Sequence, residues 1–441
     1  MYENALLSSM DGDAEELMAR LGLESLSTTS GIDSGGFRDD HAYLQERYVM
    51  AVGTDCCYDR LANDFVKCSN LRLAAPNAFP VWQKSPGRVS VEADKIVFDP
   101  TSTVGLNHIN MFSGFDVQRK PGDVEPILGH LFSLCHEDLP VYDWVIKWIA
   151  YPLQHPGAKM KTALIFHGRE GTGKNLFWDA IVAIYGRYGV TIGQSQIESE
   201  FNAWMSCKLF ILANEVLSRR ERRHIKGRLK ALVTDPTALI NQKNMPVRSE
   251  ANHANLVFLS NETDPVDTDR SDRRYMVVNC ERVFDREYYR NLAESINVGA
   301  LYDYFLSVDL RDFSPHTQPL LTNAKTELLR QNMRSEQAFI EDWLDGEILH
   351  YPKMSVPSLM LYWAYRCWCA EHGEKFPATE TRFGRALTDA GIVKSRVNVI
   401  GGGGAKKVVM AWVGEPAGSV SLLNFDGFQR LIDDDRERLK L

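Results

Sequence analysis

No apolar run in this chain reaches the ~18 residues that a helical bilayer span requires, so no transmembrane segment is expected. The amino-terminal stretch MYENALLSSMDGDAEELMARLG lacks the basic opening of a secretory signal, and we expect a cytoplasmic chain without a membrane partner. Cysteine is sparse, with eight in 441 residues, which excludes a small disulfide scaffold. None of them forms a CxxC pair. Cys56, Cys57 and Cys68 with His41 raise a zinc reading, but adjacent cysteines are awkward tetrahedral ligands, so buried or idle thiols are expected. Cys367 and Cys369 fall in the aromatic stretch LYWAYRCWCAEH, where packing accounts for them. No fixed-period repeat points to a solenoid or propeller, and 31 glycines with 18 prolines are ordinary usage. What is present is enough apolar material for real cores, 44% hydrophobic and 10% aromatic, in a length suited to two to four domains.

The formal net charge of -8 argues against nucleic acid only until its distribution is read. Residues 1–55 carry eleven acids and three bases, which accounts for the whole imbalance and leaves the remainder neutral. A basic run follows at Arg219, Arg220, Arg222, Arg223, Lys226, Arg228 and Lys230, interrupted only by Glu221. A solvated helix face is its bland explanation.

Patterning divides the chain into seven stretches. Residues 1–41 form an acidic, flexible segment with a short helix near 13–23 and a Ser/Gly/Thr/Asp-rich linker at 25–41. Short apolar runs between turn residues make 42–115 a small β-rich accessory module. In 116–160, Ile127, Leu128, Leu131, Leu134, Val141, Trp144, Val145, Trp148 and Ile149 recur at helical spacing, predicting two helices. Residues 161–285 alternate strand-like and helix-like segments, the pattern of an α/β core with a largely parallel sheet. A helical connection spans 286–335. In 336–415 helices precede two strand-like runs joined by a glycine turn, the order of a winged helix that binds either DNA or protein. The tail, 416–441, offers at most a terminal helix.

The chemistry concentrates in the α/β core. Gly168, Arg169, Glu170, Gly171, Thr172, Gly173, Lys174 and Asn175 make a GxxxxGK loop directly after a hydrophobic strand and before an amphipathic helix. Glycines there let backbone N–H groups face phosphates, the helix start adds positive potential, and Lys174 reaches the β- and γ-phosphates. Serine or threonine usually follows to bind magnesium; Asn175 offers an amide oxygen instead. Forty-one residues past Lys174 the run Leu209–Ala213 ends in Asn214 and Glu215, the place for a general base beside ATP and Mg2+. A neutral Asn214 stands where an aspartate is usual, which leaves as the alternative a nucleotide-binding, poorly hydrolysing DNA-binding or loader protein, or a switch ATPase of a defence or regulatory system. A further strand, Leu256–Leu259, ends in Ser260 and Asn261, an amide placed to orient water and sense the γ-phosphate. Twelve residues later come Asp272, Arg273, Arg274 and Tyr275, where an arginine can reach a nucleotide held by a neighbouring subunit. Between Glu215 and Asn261 the segment RLKALVTDPTALINQKNMP predicts a hairpin turning at Asn241–Asn244 with Lys243 at its tip.

These residues resemble superfamily 3 helicases, and more closely the helicase part of primase-helicases of temperate phages, satellites and other mobile elements. The likeness rests on GREGTGKN, ANE, LKALVTDPTALINQKN, FLSNE and SDRRY, with WIAYPLQHPGAKMKTALIF upstream. It covers about 95–285 well and the stretch to about 413 loosely. It implies a P-loop AAA+-like ATPase core with a helical collar, assembled as a ring that is commonly a homo-hexamer, with ATP between subunits. It also implies a replication function in which DNA, single-stranded or forked, is gripped by a hairpin lysine. Carried onto this chain, the resemblance assigns nucleotide binding to Lys174 and Asn175, base to Glu215, sensing to Asn261, the finger to Arg273 or Arg274, and DNA tracking to Lys243. Asn214 departs from the pattern, and no primase catalytic module is recognisable in 1–115.

Overall fold

A computed structural model describes residues 37–215, 222–243, 245–262, 273–331, 333–348, 350–351, 355–400, 406–413 and 425–441. The helix expected near 13–23, most of the linker at 25–41, and Arg219, Arg220, Asp272 and Asn244 lie outside the described residues. The chain divides into two compact units, 1–267 with 271–326, and 327–441 with 268–270.

The first unit opens with helix α1 (His41–Arg47), whose start is capped by the Asp40 carboxylate accepting from the Ala42 and Tyr43 N–H groups. Strands β1 (Tyr48–Val52), β2 (Cys56–Asp59) and β3 (Asp64–Lys67) follow, then helices α2 (Cys68–Ala74) and α3 (Ala78–Lys84) and strand β4 (Ser90–Glu92). The sheet order is β3-β2-β1-β4, with β4 parallel to β1 and the other pairs antiparallel. Three short helices thus accompany the strands that patterning suggests for 42–115. Seven-residue helices hold too few turns to show a period, yet Leu44, Leu71, Phe79 and Trp82 on them bury together against Tyr48 and Cys57. Strands β5 (Ile96–Val97) and β6 (Ile109–Asn110) pair in parallel before the next helices.

Helices α4 (Glu125–Leu134) and α5 (Leu139–Gln154) occupy the stretch where helical spacing predicts two. Asp138 caps α5 through the Val141 N–H, and Pro140 sits where its missing donor costs nothing. Then come β7 (Ala163–Gly168), α6 (Lys174–Tyr185), β8 (Gly189–Ile192), β9 (Phe210–Asn214), α7 (Arg222–Thr234), β10 (Thr237–Ile240), β11 (Arg248–Ala251), β12 (Asn255–Ser260) and β13 (Tyr275–Cys280). Five of these strands form one all-parallel sheet in the order β13-β7-β12-β9-β8. All residues of β7 and β12 are buried, which explains why they read as continuous apolar runs rather than alternating ones. The remaining pair, β10 and β11, is an antiparallel hairpin outside the sheet. Helices α8 (Arg286–Ser295) and α9 (Val298–Ser307) complete the core, where Leu292, Leu301 and Phe305 join Trp148, Phe166, Trp178 and Phe210.

Helix α10 (Asn323–Gln331) leads to the second unit, with α11 (Ser335–Asp345), β14 (Val356–Pro357), α12 (Ser358–Glu371), α13 (Glu380–Asp389), β15 (Val393–Ile400), β16 (Lys406–Val413) and α14 (Phe425–Leu439). Three strands form an antiparallel sheet in the order β14-β16-β15. Phe339, Trp343, Tyr365, Phe383, Trp412, Phe428 and Ile432 make its own core. Cys369 lies among them, and Cys367 is also fully buried, as the aromatic pattern around them leads one to expect.

Candidate active site

The site begins where β7 runs out. Gly168 takes φ +121, and a Cβ there would stand 2.4 Å from the Cys280 carbonyl and 2.5 Å from Asn279 Oδ1, so only glycine fits beside β13. The Arg169 N–H donates to that same Cys280 carbonyl at 2.9 Å, fixing where the loop leaves the sheet. Gly173, at φ +78, caps α6 in the left-handed conformation. Lys174 opens the helix and is buried; its Nζ lies inside the loop, 2.8 Å from the Arg169 carbonyl, 3.3 Å from that of Gly168 and 3.3 Å from Thr172 Oγ1. Burial lowers the Lys174 ammonium below its ordinary pKa, while Cys280, Glu170 and Glu215 act the other way. Asn175 is exposed at the second helical position. A buried cation beside a glycine-rich loop at a helix start is suited to an anionic group.

Parallel register brings the other strand ends alongside. In β9 and β12 Asn214 pairs with Leu259, and the Glu215 N–H donates to the Leu259 carbonyl at 3.0 Å. Asn261 follows β12, and its Nδ2 donates to Glu215 Oε1 at 3.2 Å. Strand β12 lies between β7 and β9, so Asn261 stands between the loop and Glu215. Lys174, Glu215 and Asn261 therefore meet at the carboxyl edge of one sheet, the edge where α/β folds hold ligands. Asn214 is half-buried at the end of β9.

The remaining predicted residues lie elsewhere. Arg273 and Arg274 precede β13; the Arg274 carbonyl accepts from the Ala163 N–H at 2.7 Å, at the amino edge of the sheet and a full strand away from Lys174. Arg273 is exposed there. Lys243 is exposed in the turn between β10 and β11, as the segment's pattern predicts, although the return strand starts at Arg248 rather than within the segment read as the hairpin. Arg248 holds the base of that hairpin, with Nε 2.8 Å from Glu250 Oε1, Nη2 2.9 Å from Ser206 Oγ, and its guanidinium over the Phe65 ring.

One participant was not read from the sequence. His130 on α4 is fully buried beneath the loop, with Nε2 3.2 Å from the Gly173 carbonyl and Nδ1 3.2 Å from Tyr288 Oη. A carbonyl only accepts, so Nε2 carries the proton and Tyr288 donates to Nδ1. The available signal was a histidine within the apolar stripe of α4, next to Leu131. Tyr288 stacks on Phe284 at 4.1 Å, and Tyr289 closes on Gly173 from the same side.

Comparison with known proteins adds relations at the level of segments. Residues 166–274 match a family of unknown function (DUF5906), and residues 336–393 match a family described as poxvirus D5 protein-like. The chain is similar to the DNA primase-polymerase of Nitratiruptor phage NrS-1, at 30% identity over 238 residues, 51% of this chain and 32% of that protein. It thus spans about a third of that relative's length. Among solved structures, the apo C-terminal region of NrS-1 superposes with a TM-score of 0.64 at 22% identity, covering 87% of this chain and 100% of that one. A second form of that region gives 0.65 over 84% and 98%. The likeness is one of fold, a mixed α/β architecture.

Proposed function

We propose that the chain is an ATP-driven DNA motor acting in the replication of a phage or related element. The carrying observation is the convergence of Lys174, Glu215 and Asn261 at adjacent ends of one parallel sheet, beside a glycine loop that tolerates no side chain at Gly168. In this reading the core is of P-loop AAA+-like type, with ATP phosphates on the backbone N–H groups of Gly171, Thr172 and Gly173 and on Lys174. Glu215 takes a proton from the attacking water, and Asn261 orients it. The donor set suits magnesium: Asn175 offers an amide oxygen and Glu215 a carboxylate, and the ion would offset phosphate charge. Arg273 and Arg274, at the far edge of the sheet, serve a nucleotide only on a neighbouring subunit, which favours a homo-hexameric ring. Lys243 on the exposed hairpin contacts a DNA strand, and the second unit acts as a winged helix in loading. The name of the phage primase-polymerase relative supports the replication setting.

The test is ATP turnover by the purified chain with and without single-stranded DNA. DNA should raise the rate and Lys174→Ala should abolish it; turnover no greater than that of Lys174→Ala overturns the reading. The half-buried amide of Asn214 favours a second reading, a nucleotide-binding switch or loader with slow hydrolysis. Asn214→Asp separates the two on a forked duplex: faster unwinding marks a motor tuned by Asn214, and no unwinding in either form supports the switch.

A further inference from the structure

Strand alternation sends the two adjacent cysteines of β2 to opposite faces. Cys56 points toward the hairpin, its Sγ 3.8 Å from Met245 Sδ. Cys57 points the other way, into the small core under α1 and α3. Its cross-strand partner on β1 is Met50, and its partner on β3 is Val66, two residues before Cys68. Three sulfurs therefore share one face. Cys57 Sγ stands 3.4 Å from Cys68 Sγ and 4.0 Å from Met50 Sδ, and Cys68 Sγ stands 3.8 Å from Met50 Sδ. All the cysteines are free thiols.

We propose that Met50, Cys57 and Cys68 form a trigonal site for a soft monovalent metal ion, copper(I). Three sulfurs each roughly 2.3 Å from a central ion stand roughly 4 Å apart, and this triangle already has nearly that size. Two thiols and a thioether suit copper(I), whereas structural zinc takes four ligands in a tetrahedron and this set supplies three, one of them a thioether. Among the described residues no imidazole or carboxylate joins the two thiols within coordinating reach. Cys57 is buried while Met50 and Cys68 are half-buried and pack against the small core, so the triangle lies at the margin of that core. Binding replaces the thiol protons of Cys57 and Cys68, which pass to solvent; no electron moves.

The test uses the full chain, reduced and oxygen-free, titrated with copper(I) supplied as its acetonitrile complex in competition with a chromophoric copper(I) chelator. One equivalent should resist the chelator, with X-ray absorption showing sulfur neighbours at roughly 2.3 Å. Cys57→Ser and Cys68→Ser should lose that equivalent, while Cys56→Ser and Cys367→Ser keep it. Met50→Leu, which preserves packing and keeps the test valid if a serine variant fails to fold, should weaken binding roughly 10-fold or more. Uptake unchanged in Cys57→Ser, Cys68→Ser or Met50→Leu overturns the site, as does no chelator-resistant copper, or a Cys57–Cys68 disulfide formed in place of bound copper. The readout does not involve ATP, so its failure is separate from failure of the motor reading.

Discussion

Glu215 holds a left-handed backbone at φ +53, a conformation that costs a non-glycine residue of order 1 kcal/mol or more. Its N–H is tied to Leu259 and its carboxylate to Asn261, which keep it there. Strain retained at the tip of a strand agrees with a chemical role. Glu215→Gln is expected to keep nucleotide binding while turnover falls by about 10²–10⁴, measured by fluorescent-nucleotide titration beside an ATPase assay; an unaltered rate would assign the base elsewhere. His130 offers a different handle. Burial lowers its pKa, so the unfolded chain takes up the proton first as pH falls below about 6.5. The stability from the neutral His130 is present above that pH and is lost as pH falls through the lowered value. His130→Gln should flatten the decline of melting temperature between pH 7 and pH 5 relative to the unaltered protein. An equally steep decline would show that other groups cause it.

At the scale of elements, strand order does what no single residue does. Placing β12 between β7 and β9 aligns three loops whose sequence positions span from 168 to 261. A buried lysine anchors the nearby helix and hairpin. Lys159 Nζ donates to the Leu232 carbonyl on α7 at 2.7 Å, to Asn252 Oδ1 at 3.3 Å and to the Ala254 carbonyl, joining the helix, the hairpin exit and the approach to β12. Burial pulls its pKa down to about 7. The unfolded chain, with lysine near 10.4, binds more protons between those values, so stability from this group rises with pH across about 7–10 and is lost as pH falls toward 7. Lys159→Met should remove that slope in urea unfolding measured at pH 7 and pH 9.5. A slope unchanged by the substitution would mean Lys159 keeps an ordinary pKa in the folded chain.

Each of the two units carries its own main core, one around Trp148, Trp178 and Phe210 and the other around Trp343, Tyr365 and Phe383, and the first unit adds the smaller cluster around Phe79 and Trp82. Scanning calorimetry should resolve two transitions, and a chain stopping before Ser335 should keep one of them. A single transition lost entirely on truncation would show that the units fold only together. Among the described residues no helix is long and apolar enough to cross a membrane.

Residue types and local spacing sufficed to place the loop 168–175 between strand and helix, Glu215 and Asn261 just past strand ends and Lys243 in a hairpin turn, because glycine, buried strand and helix start leave short-range signatures. The helices α2 and α3 escaped because two turns establish no period. What tertiary structure alone decided is adjacency. Sheet order turned Asn261 toward Glu215, helix packing set His130 under Gly173, and strand register gathered Met50, Cys57 and Cys68 while sending Cys56 to the other face. Each depends on which elements pair across long sequence separations, and that pairing follows from the burial of whole faces, which no local window of residues encodes.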